Sequence, residues 1–178
     1  MLIRNLSMRF NIRNYRPEDF STLLAIDQSC FPPGIAYTPF ELKTYIIRRG
    51  SFTLVAETAS GPAHNEAVST SETQQDSSIL GFIVAERARA AGHIITIDVR
   101  AEARRHRIGS VLLQSADEQF RLWNCHGIRL ETAVDNIAAL SFYKRHGYDV
   151  VKTIPRYYSN GVDALLLEKN LLSPPSSR

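Results

Sequence analysis

The stretch that decides the fold runs from Ile94 to Ala116 and reads Ile-Ile-Thr-Ile-Asp-Val-Arg-Ala-Glu-Ala-Arg-Arg-His-Arg-Ile-Gly-Ser-Val-Leu-Leu-Gln-Ser-Ala. Its first part, up to Val99, is apolar and β-branched with only Asp98 charged, a pattern typical of a strand in the middle of a sheet. From Ile108 onward, apolar residues recur at helical spacing, which predicts an amphipathic helix directly after the strand. The apolar stripe of this helix comprises Ile108, Leu112, Ala116, Phe120 and Trp123.

The junction between this strand and this helix is strongly basic. It contains Arg104, Arg105, His106 and Arg107, followed by Ile108, Gly109 and Ser110. The first turn of a helix leaves backbone N–H groups unpaired and carries roughly half a positive charge, so cations are disfavoured there. A bound phosphate or pyrophosphate would offset that cost, because amides, dipole and guanidinium groups would all hold it. The alternative is a solvated basic turn without a ligand. The sequence lacks the Gly-Lys-Ser/Thr element of a Walker P-loop.

The flanks of this unit predict a βαβ arrangement. We expect Gly92 to turn the chain into the central strand, and the helix to end near Cys125-His126-Gly127 with Gly127 in the C-cap position. The polar face of the helix carries Asp117, Glu118, Arg121 and Asn124. Residues 128–134 predict the next strand, with one face made of Ile128, Leu130, Thr132 and Val134. The two strands are then parallel and joined by a right-handed crossover.

The N-terminal half predicts two helices and three strands. Residues 9–15 alternate as a first strand, and Arg16-Pro17-Glu18-Asp19 opens a helix that ends at Cys30-Phe31-Pro32-Pro33-Gly34. A second helix begins near Thr38-Pro39. Residues 51–57 and 79–86 predict neighbouring strands, and the Ser/Thr/Gln-rich residues 58–78 predict a mobile connection between them. That connection is either a tolerated insertion or a partner-binding arm.

Composition sets the outer bounds. With 178 residues, 44% of them hydrophobic, we expect one domain over residues 8–172 and a disordered tail over 173–178. A formal charge of +3 with interspersed acids does not predict nucleic-acid binding. No apolar run is long enough for a membrane span, so we expect a cytoplasmic protein. Neither the two cysteines nor the five histidines show metal-ligand spacing, and we predict no metal.

A second motif follows the predicted strand at residues 128–134. Asn136-Ile-Ala-Ala139-Leu-Ser-Phe-Tyr143-Lys-Arg-His-Gly147-Tyr148 predicts a short helix with Asn136 as its N-cap and His146-Gly147 as its end. This segment resembles the Asn-x-x-Ala-x-x-x-Tyr-x-x-x-Gly-Phe/Tyr element of the GCN5-related N-acetyltransferase (GNAT) family. The basic junction resembles that family's Arg/Gln-x-x-Gly-x-Gly/Ala loop, with Arg107 where the first glycine is usual.

The resemblance implies a fold and a cofactor. The implied fold is α/β, with a central mixed sheet of six to seven strands flanked by about four helices, and the implied co-substrate is acetyl-coenzyme A. By resemblance, the cofactor-binding residues are Ile97, Asp98, Val99, Arg104, Arg105, His106, Arg107, Ile108, Gly109, Ser110, Asn136 and Tyr143. In the family, the loop after the first helix commonly borders the acceptor site, which makes Phe31 and Pro32 candidates unless they form an ordinary packed turn.

The match is sharpest with the ribosomal-protein-alanine and other protein N-terminal acetyltransferases. That subfamily uses a strand glutamate as general base and a helix tyrosine twelve residues later as general acid, the separation between Glu131 and Tyr143 here. Its peptide site is lined by a tyrosine pair that matches Tyr157 and Tyr158, although these two could instead shape a turn. The implied acceptor is a peptide or protein N-terminus, with a ribosomal protein among the candidates, and the implied assembly is a monomer or weak homodimer.

The chemistry favours an α-amine over a lysine. At pH 7 an α-amine needs roughly 1.1 kcal/mol to lose its proton, whereas a lysine needs roughly 4.6 kcal/mol. Glu131 can take that proton and Tyr143 can protonate the departing thiolate. Two other hypotheses stay open: a GNAT enzyme that acetylates a small amine or a lysine, and a non-catalytic module that binds acyl-coenzyme A or RNA through the arginines.

Overall fold

The computed structural model of the chain describes residues 8–59 and 79–172. In these residues it contains seven strands and four α-helices, as the family resemblance implies. The strands are β1 (Phe10–Asn14), β2 (Ser51–Thr58), β3 (Ile79–Ala88), β4 (Ala91–Val99), β5 (Gly127–Ala133), β6 (Asp149–Ile154) and β7 (Ala164–Asn170). The helices are α1 (Phe20–Cys30), α2 (Pro39–Ile47), α3 (Ile108–Leu122) and α4 (Ile137–Arg145), with 3-10 turns at Pro17–Asp19 and Ala101–Ala103.

The strands form one mixed sheet in the order β1-β2-β3-β4-β5-β7-β6. Strand β4 therefore lies in the middle, as its apolar sequence predicts. Strands β2 and β3 pair antiparallel, which confirms that residues 58–78 connect neighbouring strands. Strands β4 and β5 are parallel, as predicted for the βαβ unit. The predicted leader (residues 1–7), tail (173–178) and mobile connection lie outside the described residues, except for Thr58 and Ala59 of the connection.

Helices cover both faces of the sheet and create two cores. Helices α3 and α4 pack on one face around Leu112, Phe120, Leu130 and Tyr143. Helices α1 and α2 pack on the other face, where Leu23, Ile26, Leu42 and Ile46 meet Phe82 and Val84 of β3. We refer to these as the α3–α4 face and the α1–α2 face.

The central pair of strands separates soon after it forms. The β4–β5 ladder holds three residue pairs, Ala91 with Gly127, Gly92 with Ile128 and His93 with Arg129. Just beyond, Ala85 pairs with Ile94 and Val84 with Thr96, so Ile95 is an extra residue on β4. Such a bulge bends its strand and interrupts pairing. The bulge also explains why Ile94 and Ile97, three positions apart, pack on the same α3–α4 face.

Two predicted turn positions are wrong. The β3–β4 turn lies at residues 89–90, where Arg89 has a φ of +59°, and Gly92 is already part of β4. At Gly92 an added Cβ would lie 2.7 Å from ring atoms of Phe120, so the glycine is required for packing and not for turning. Helix α3 ends at Leu122, and Asn124 takes the left-handed position with a φ of +55°. Gly127 instead begins β5.

The polar face predicted for α3 is also partly buried. Asp117 is 5% exposed, and its carboxylate accepts hydrogen bonds from Lys169 Nζ at 2.5 Å and from the Tyr148 hydroxyl at 3.4 Å. The burial of a charge next to a partner from β7 is a tertiary effect that helical periodicity does not contain. Val134, predicted as the last residue of the apolar face of this strand, instead lies one residue beyond β5 and is 37% exposed.

Candidate active site

A cavity of about 780 Å³ opens where β4 and β5 separate. Most of the residues singled out from the sequence line it. They are Ile97, Asp98, Val99, Arg104, Arg105, Arg107, Ile108, Gly109, Ser110, Glu131, Asn136 and Tyr143, together with Phe31, Pro32 and Tyr158. The structure does not bring His106 or Tyr157 to the cavity wall. The separation of the two strands thus gathers residues from β4, β5, α3, α4 and four loops into one site.

The basic loop takes an unusual backbone path before α3. Arg105 and Arg107 have φ values of +66° and +65°, in the left-handed region that glycine favours. Arg107 is the N-cap of α3 and its side chain makes no capping bond, and the first helical turn has no acidic residue. Among the described residues, no side chain caps the amides of this turn, and Arg104, Arg105 and Arg107 line the same cavity. Arg107 thus takes a left-handed backbone conformation that glycine adopts at little cost.

The edge of β4 that faces the gap offers free backbone groups. Arg100 N–H donates to Leu80 O at 2.9 Å, and the adjacent rung pairs Val99 with Gly81. Because rungs alternate in an antiparallel ladder, the N–H groups of Val99 and Ile97 point away from β3, toward the gap. In the described parts of β4 and β5, no strand pairs with them there. They are available to an extended ligand or to a developing oxyanion.

Asp98 lies beneath this edge in a buried acidic pair. Its carboxylate is 1% exposed and accepts a hydrogen bond from Thr96 Oγ1 at 3.0 Å. Burial raises the pKa of Asp98 well above its usual range, and the charge of Asp27 raises it further. Burial likewise raises the pKa of Asp27 to about 6, against a hydrogen bond from the Tyr37 amide. Each carboxylate keeps one oxygen without a partner among the described residues, which is consistent with protonation.

Glu131 is held by a histidine that sequence reasoning did not identify. His93 Nε2 lies 2.7 Å from Glu131 Oε2, and both side chains are about 15% exposed. His93 stands on the last rung of the β4–β5 ladder, and Glu131 lies two residues beyond that rung on β5. His93 carries no motif of its own, so only the strand register could have identified it.

Tyr143 reaches the cavity from α4. Asn136 caps this helix as predicted, its Oδ1 accepting from Ala139 N–H at 3.1 Å. Tyr143 is 7% exposed and packs edge-on against Phe142 and Tyr148. Burial raises the pKa of its phenol, and the nearby charges of Asp98 and Tyr158 add to that effect. Among the described residues its hydroxyl has no hydrogen-bond partner, so it is free to act on a ligand.

Two loops meet over the α1–α2 side of the cavity. Phe31 and Pro32 follow α1, and Ser159 Oγ of the β6–β7 loop donates to Gly34 O at 3.0 Å. Tyr158 lines the cavity beneath this contact, whereas Tyr157 is 46% exposed and stacks edge-on against it. Phe31 and Tyr158 thus give the cavity an aromatic wall at this loop contact.

Several lining residues were not predicted. They include Cys30 and Tyr37 of the α1–α2 region and Arg145 of α4. Tyr37 donates to the carbonyl of the bulge residue Ile95 at 3.3 Å, a contact that fixes the bulge. Arg104 donates to Val99 O at 3.1 Å and so also braces this edge. These contacts depend on tertiary placement and have no local sequence signal.

Neither a metal site nor a membrane span is found in residues 8–59 and 79–172. Over these ranges no three histidine, cysteine or acidic side chains converge as metal ligands do. Each helix there is too short or too polar to cross a bilayer.

Comparisons with known proteins identify the family and the fold of this chain. The model of the Acetyltransferase (GNAT) family matches residues 22–148. An uncharacterized N-acetyltransferase of Methanocaldococcus jannaschii is 39% identical over 53% of this chain and 61% of its own length. An N-alpha-acetyltransferase of Saccharolobus solfataricus is 26% identical over 91% of this chain and 93% of its own length. The match thus spans less than two thirds of the first relative but nearly all of the second.

The crystal structure of Ard1 from Thermoplasma volcanium has the same fold. It superposes with a TM-score of 0.76 and 24% identity, over 92% of this chain and 99% of that one. At this identity the likeness extends to the fold alone.

Proposed function

Because the chain belongs to the Acetyltransferase (GNAT) family, we propose that it transfers the acetyl group of acetyl-coenzyme A to the N-terminal α-amine of a peptide or protein. The observation that carries the proposal is the single cavity that Glu131 and Tyr143 both line. The N-alpha-acetyltransferase relative that aligns over 91% of the chain supports the α-amine as acceptor. The thioester of acetyl-coenzyme A supplies the activated acetyl group.

The residues present fit this co-substrate. The uncapped first turn of α3 and the arginines beside it suit a pyrophosphate, because amide hydrogens and guanidinium groups both bind phosphate oxygens. The free amides of Ile97 and Val99 suit an extended arm that carries amide groups of its own. Arg107, which has a left-handed φ, also lines the cavity at this loop.

Glu131 serves as general base in this proposal. The acceptor binds as an ammonium ion beside the aromatic wall at Phe31 and Tyr158 and gives one proton to Glu131. The contact of 2.7 Å between His93 Nε2 and Glu131 Oε2 holds the carboxylate oxygen in place. The neutral amine can then attack the thioester carbonyl, and the amides of Ile97 and Val99 are candidates to stabilise the oxyanion.

Tyr143 serves as general acid. Its hydroxyl has no protein partner among the described residues and is therefore available to protonate the departing thiolate. Its raised pKa keeps the phenol protonated at neutral pH. The second proton of the attacking amine restores the phenol, so the reaction releases one proton for each acetyl group transferred.

The experiment is mass spectrometry of peptides incubated with the protein and acetyl-coenzyme A. Each peptide carries a free α-amine and one lysine, and its matched control has a blocked α-amine. We expect one added acetyl group on the N-terminal residue and none on the control. Acetylation of the control, or of polyamines included in the same panel, would assign the acceptor to the lysine or small-amine class and overturn the α-amine proposal.

A further inference from the structure

One proton must leave the site in every turnover, and this inference rests on the proposed function. The α-ammonium gives one proton to Glu131, and its second proton ends on the thiol of coenzyme A. Glu131 must lose its proton before the next acceptor binds. Its side chain is only 15% exposed before any ligand covers the cavity. A route that avoids the cavity would let the proton leave while both substrates or products are bound.

A chain of ionisable side chains leads from Glu131 away from the cavity. His93 Nε2 lies 2.7 Å from Glu131 Oε2, and His93 Nδ1 lies 3.7 Å from Glu86 Oε1. Glu86 Oε2 in turn accepts from Arg48 at 3.2 Å. The Arg48 side chain is 46% exposed, so the chain ends at solvent. The 3.7 Å between His93 Nδ1 and Glu86 Oε1 is longer than a hydrogen bond, so proton transfer at this step requires the two side chains to move closer or a water to bridge them.

The strand register places these groups in line. Glu86 and His93 are direct partners on β3 and β4, and neighbouring partners on one face lie within about 5.5 Å. Glu86 shares the α1–α2 face with Val84 and Phe82, the face onto which Glu131 also emerges. Glu131 lines the cavity, whereas Glu86 and His93 are not part of its wall.

The imidazole of His93 is suited to the position between Glu131 and Glu86. One ring nitrogen can accept a proton while the other gives one up, so a proton enters at Nε2 and a different one leaves at Nδ1. A carboxylate on each side favours this exchange, since both carboxylates can hold the departing proton. Three other ionisable groups lie around this series of side chains. Arg129 is the β5 partner of His93, Tyr45 lies next to Arg48, and Tyr157 lies near Glu131.

We propose that His93 and Glu86 form a proton outlet for the acetyl-transfer site. The proton that Glu131 takes from the ammonium passes to His93 Nε2, the Nδ1 proton passes to Glu86, and Glu86 releases it to water beside Arg48. Each transfer breaks one O–H or N–H bond and forms another, and no group is oxidised or reduced. Glu86 does not touch the reacting atoms and acts through His93 as a positioning and relay residue.

The test replaces Glu86 and looks for rescue by a small carboxylic acid. Glu86→Gln keeps the shape and the contact with Arg48 but cannot carry the proton. We expect kcat to fall about tenfold while KM for acetyl-coenzyme A and for the peptide stays within about twofold. In Glu86→Ala, which leaves a space at the surface, added formate should restore kcat in proportion to its concentration. Wild-type turnover should not respond to formate.

Glu57→Gln is the matched control, because Glu57 is a partly buried, arginine-paired glutamate on the neighbouring strand β2 and lies outside the cavity wall. We expect its turnover to be unchanged and insensitive to formate. The outlet would be overturned if Glu86→Gln had the kcat of the wild type. It would also be overturned if Glu86→Ala were slow and not rescued by formate, while its thermal midpoint matched that of Glu86→Gln.

The test separates this proposal from the proposed function. It uses whichever amine the wild-type protein acetylates, so an acceptor other than an α-amine would overturn the proposed function and still leave the outlet testable. Loss of activity in Glu131→Gln together with normal activity in Glu86→Gln would overturn the outlet alone.

Discussion

Glu131 and Tyr143 reach the same cavity from opposite faces of the sheet. Tyr143 belongs to the core on the α3–α4 face, together with Leu130. Glu131 is the next residue on β5 and therefore points to the α1–α2 face, where His93 holds it. The base and the acid can approach from two sides because β4 and β5 have separated between them. A continuous sheet would have kept the two side chains apart.

Replacement of either residue should slow the chemical step and leave cofactor binding nearly intact. For Glu131→Gln and Tyr143→Phe we expect kcat to fall by about 10²-fold or more, the usual contribution of a positioned acid or base. The amides and arginines that suit the cofactor are untouched in both variants. Release of free thiol measures turnover, and the thermal shift produced by coenzyme A measures binding.

Glu168→Gln is the control for this pair. Glu168 is an exposed residue of β7 opposite Arg129, on the same face as Glu131, and its replacement should leave kcat unchanged. Normal turnover in Glu131→Gln would remove Glu131 from the mechanism.

Asp27 should make stability fall as pH rises. Burial raises its pKa from 3.8 to about 6, so the folded state holds the proton more tightly than the unfolded state does. This contribution, roughly 3 kcal/mol, is fully present below about pH 4 and is lost as pH rises through about 6. Asp27→Asn should remove this dependence and be the more stable protein above pH 7. Urea unfolding between pH 4 and 7.5 measures the difference.

Asp19 provides the opposite case. Burial acts to raise the pKa of Asp19, but hydrogen bonds from Arg13 and from the Arg16 amide outweigh it and lower the pKa. Asp19→Asn should therefore lose stability relative to the wild type, mainly above pH 4. Equal pH profiles for the two variants would contradict the assignment of opposite shifts.

Arg107→Gly should not destabilise the fold. Arg107 holds a φ of +65°, which costs an ordinary residue roughly 1 kcal/mol and costs glycine little. We expect the free energy of unfolding to stay the same or rise by up to about 1 kcal/mol. A β-branched residue fits this region worse than arginine does, so Arg107→Val should lose about 1 to 2 kcal/mol. Denaturant titration without ligand measures both.

The control is Arg104→Gly. Arg104 has an ordinary φ of −67° and donates to Val99 O, so its replacement relieves no strain and removes a contact. It should lower the stability by about 0.5 to 1 kcal/mol. A larger loss for Arg107→Gly than for Arg104→Gly would show that the Arg107 side chain supports the loop through contacts, which outweigh its backbone strain.

Gly92→Ala should lower the stability by more than the addition of one methyl group suggests. The new Cβ would lie 2.7 Å from the ring of Phe120, which is fully buried. Either β4 or the Phe120 ring must therefore move, and we expect the free energy of unfolding to fall by about 1 to 3 kcal/mol. Thermal unfolding measures the loss. In Gly109→Ala the new Cβ would meet Phe142 at 3.5 Å, an ordinary contact, and stability should hold or rise slightly. Equal stabilities for these two variants would show that the sheet adapts at Gly92.

The sequence predicts elements better than contacts. The stripe beginning at Ile108 correctly predicts α3, and Asn136 correctly predicts the start of α4, because periodicity and caps are local signals. The bulge at Ile95 leaves no such signal, since an extra β-branched residue reads like any other. Asn124 and Gly127 both suit a helix end, and only packing selects Asn124.

The candidate site divides in the same way. Glu131 and Tyr143 could be identified because the family motifs fix their positions in the sequence. His93 is 38 residues from Glu131 and meets it only because β3, β4 and β5 assemble in one register. Such a partner depends on strand pairing between distant segments, which hydrophobic patterning does not specify.

The three rungs between β4 and β5 form the only ladder that joins the two halves of the sheet in the described chain. Without ligand, the four-strand and three-strand halves of the sheet can move relative to each other about this short ladder. A molecule bound between β4 and β5, with hydrogen bonds to Ile97 and Val99, would restrict that motion. We therefore expect amide hydrogens along the free edge of β4 to exchange quickly in the empty protein and slowly once coenzyme A is bound, so that substrate supply also sets the rigidity of the enzyme.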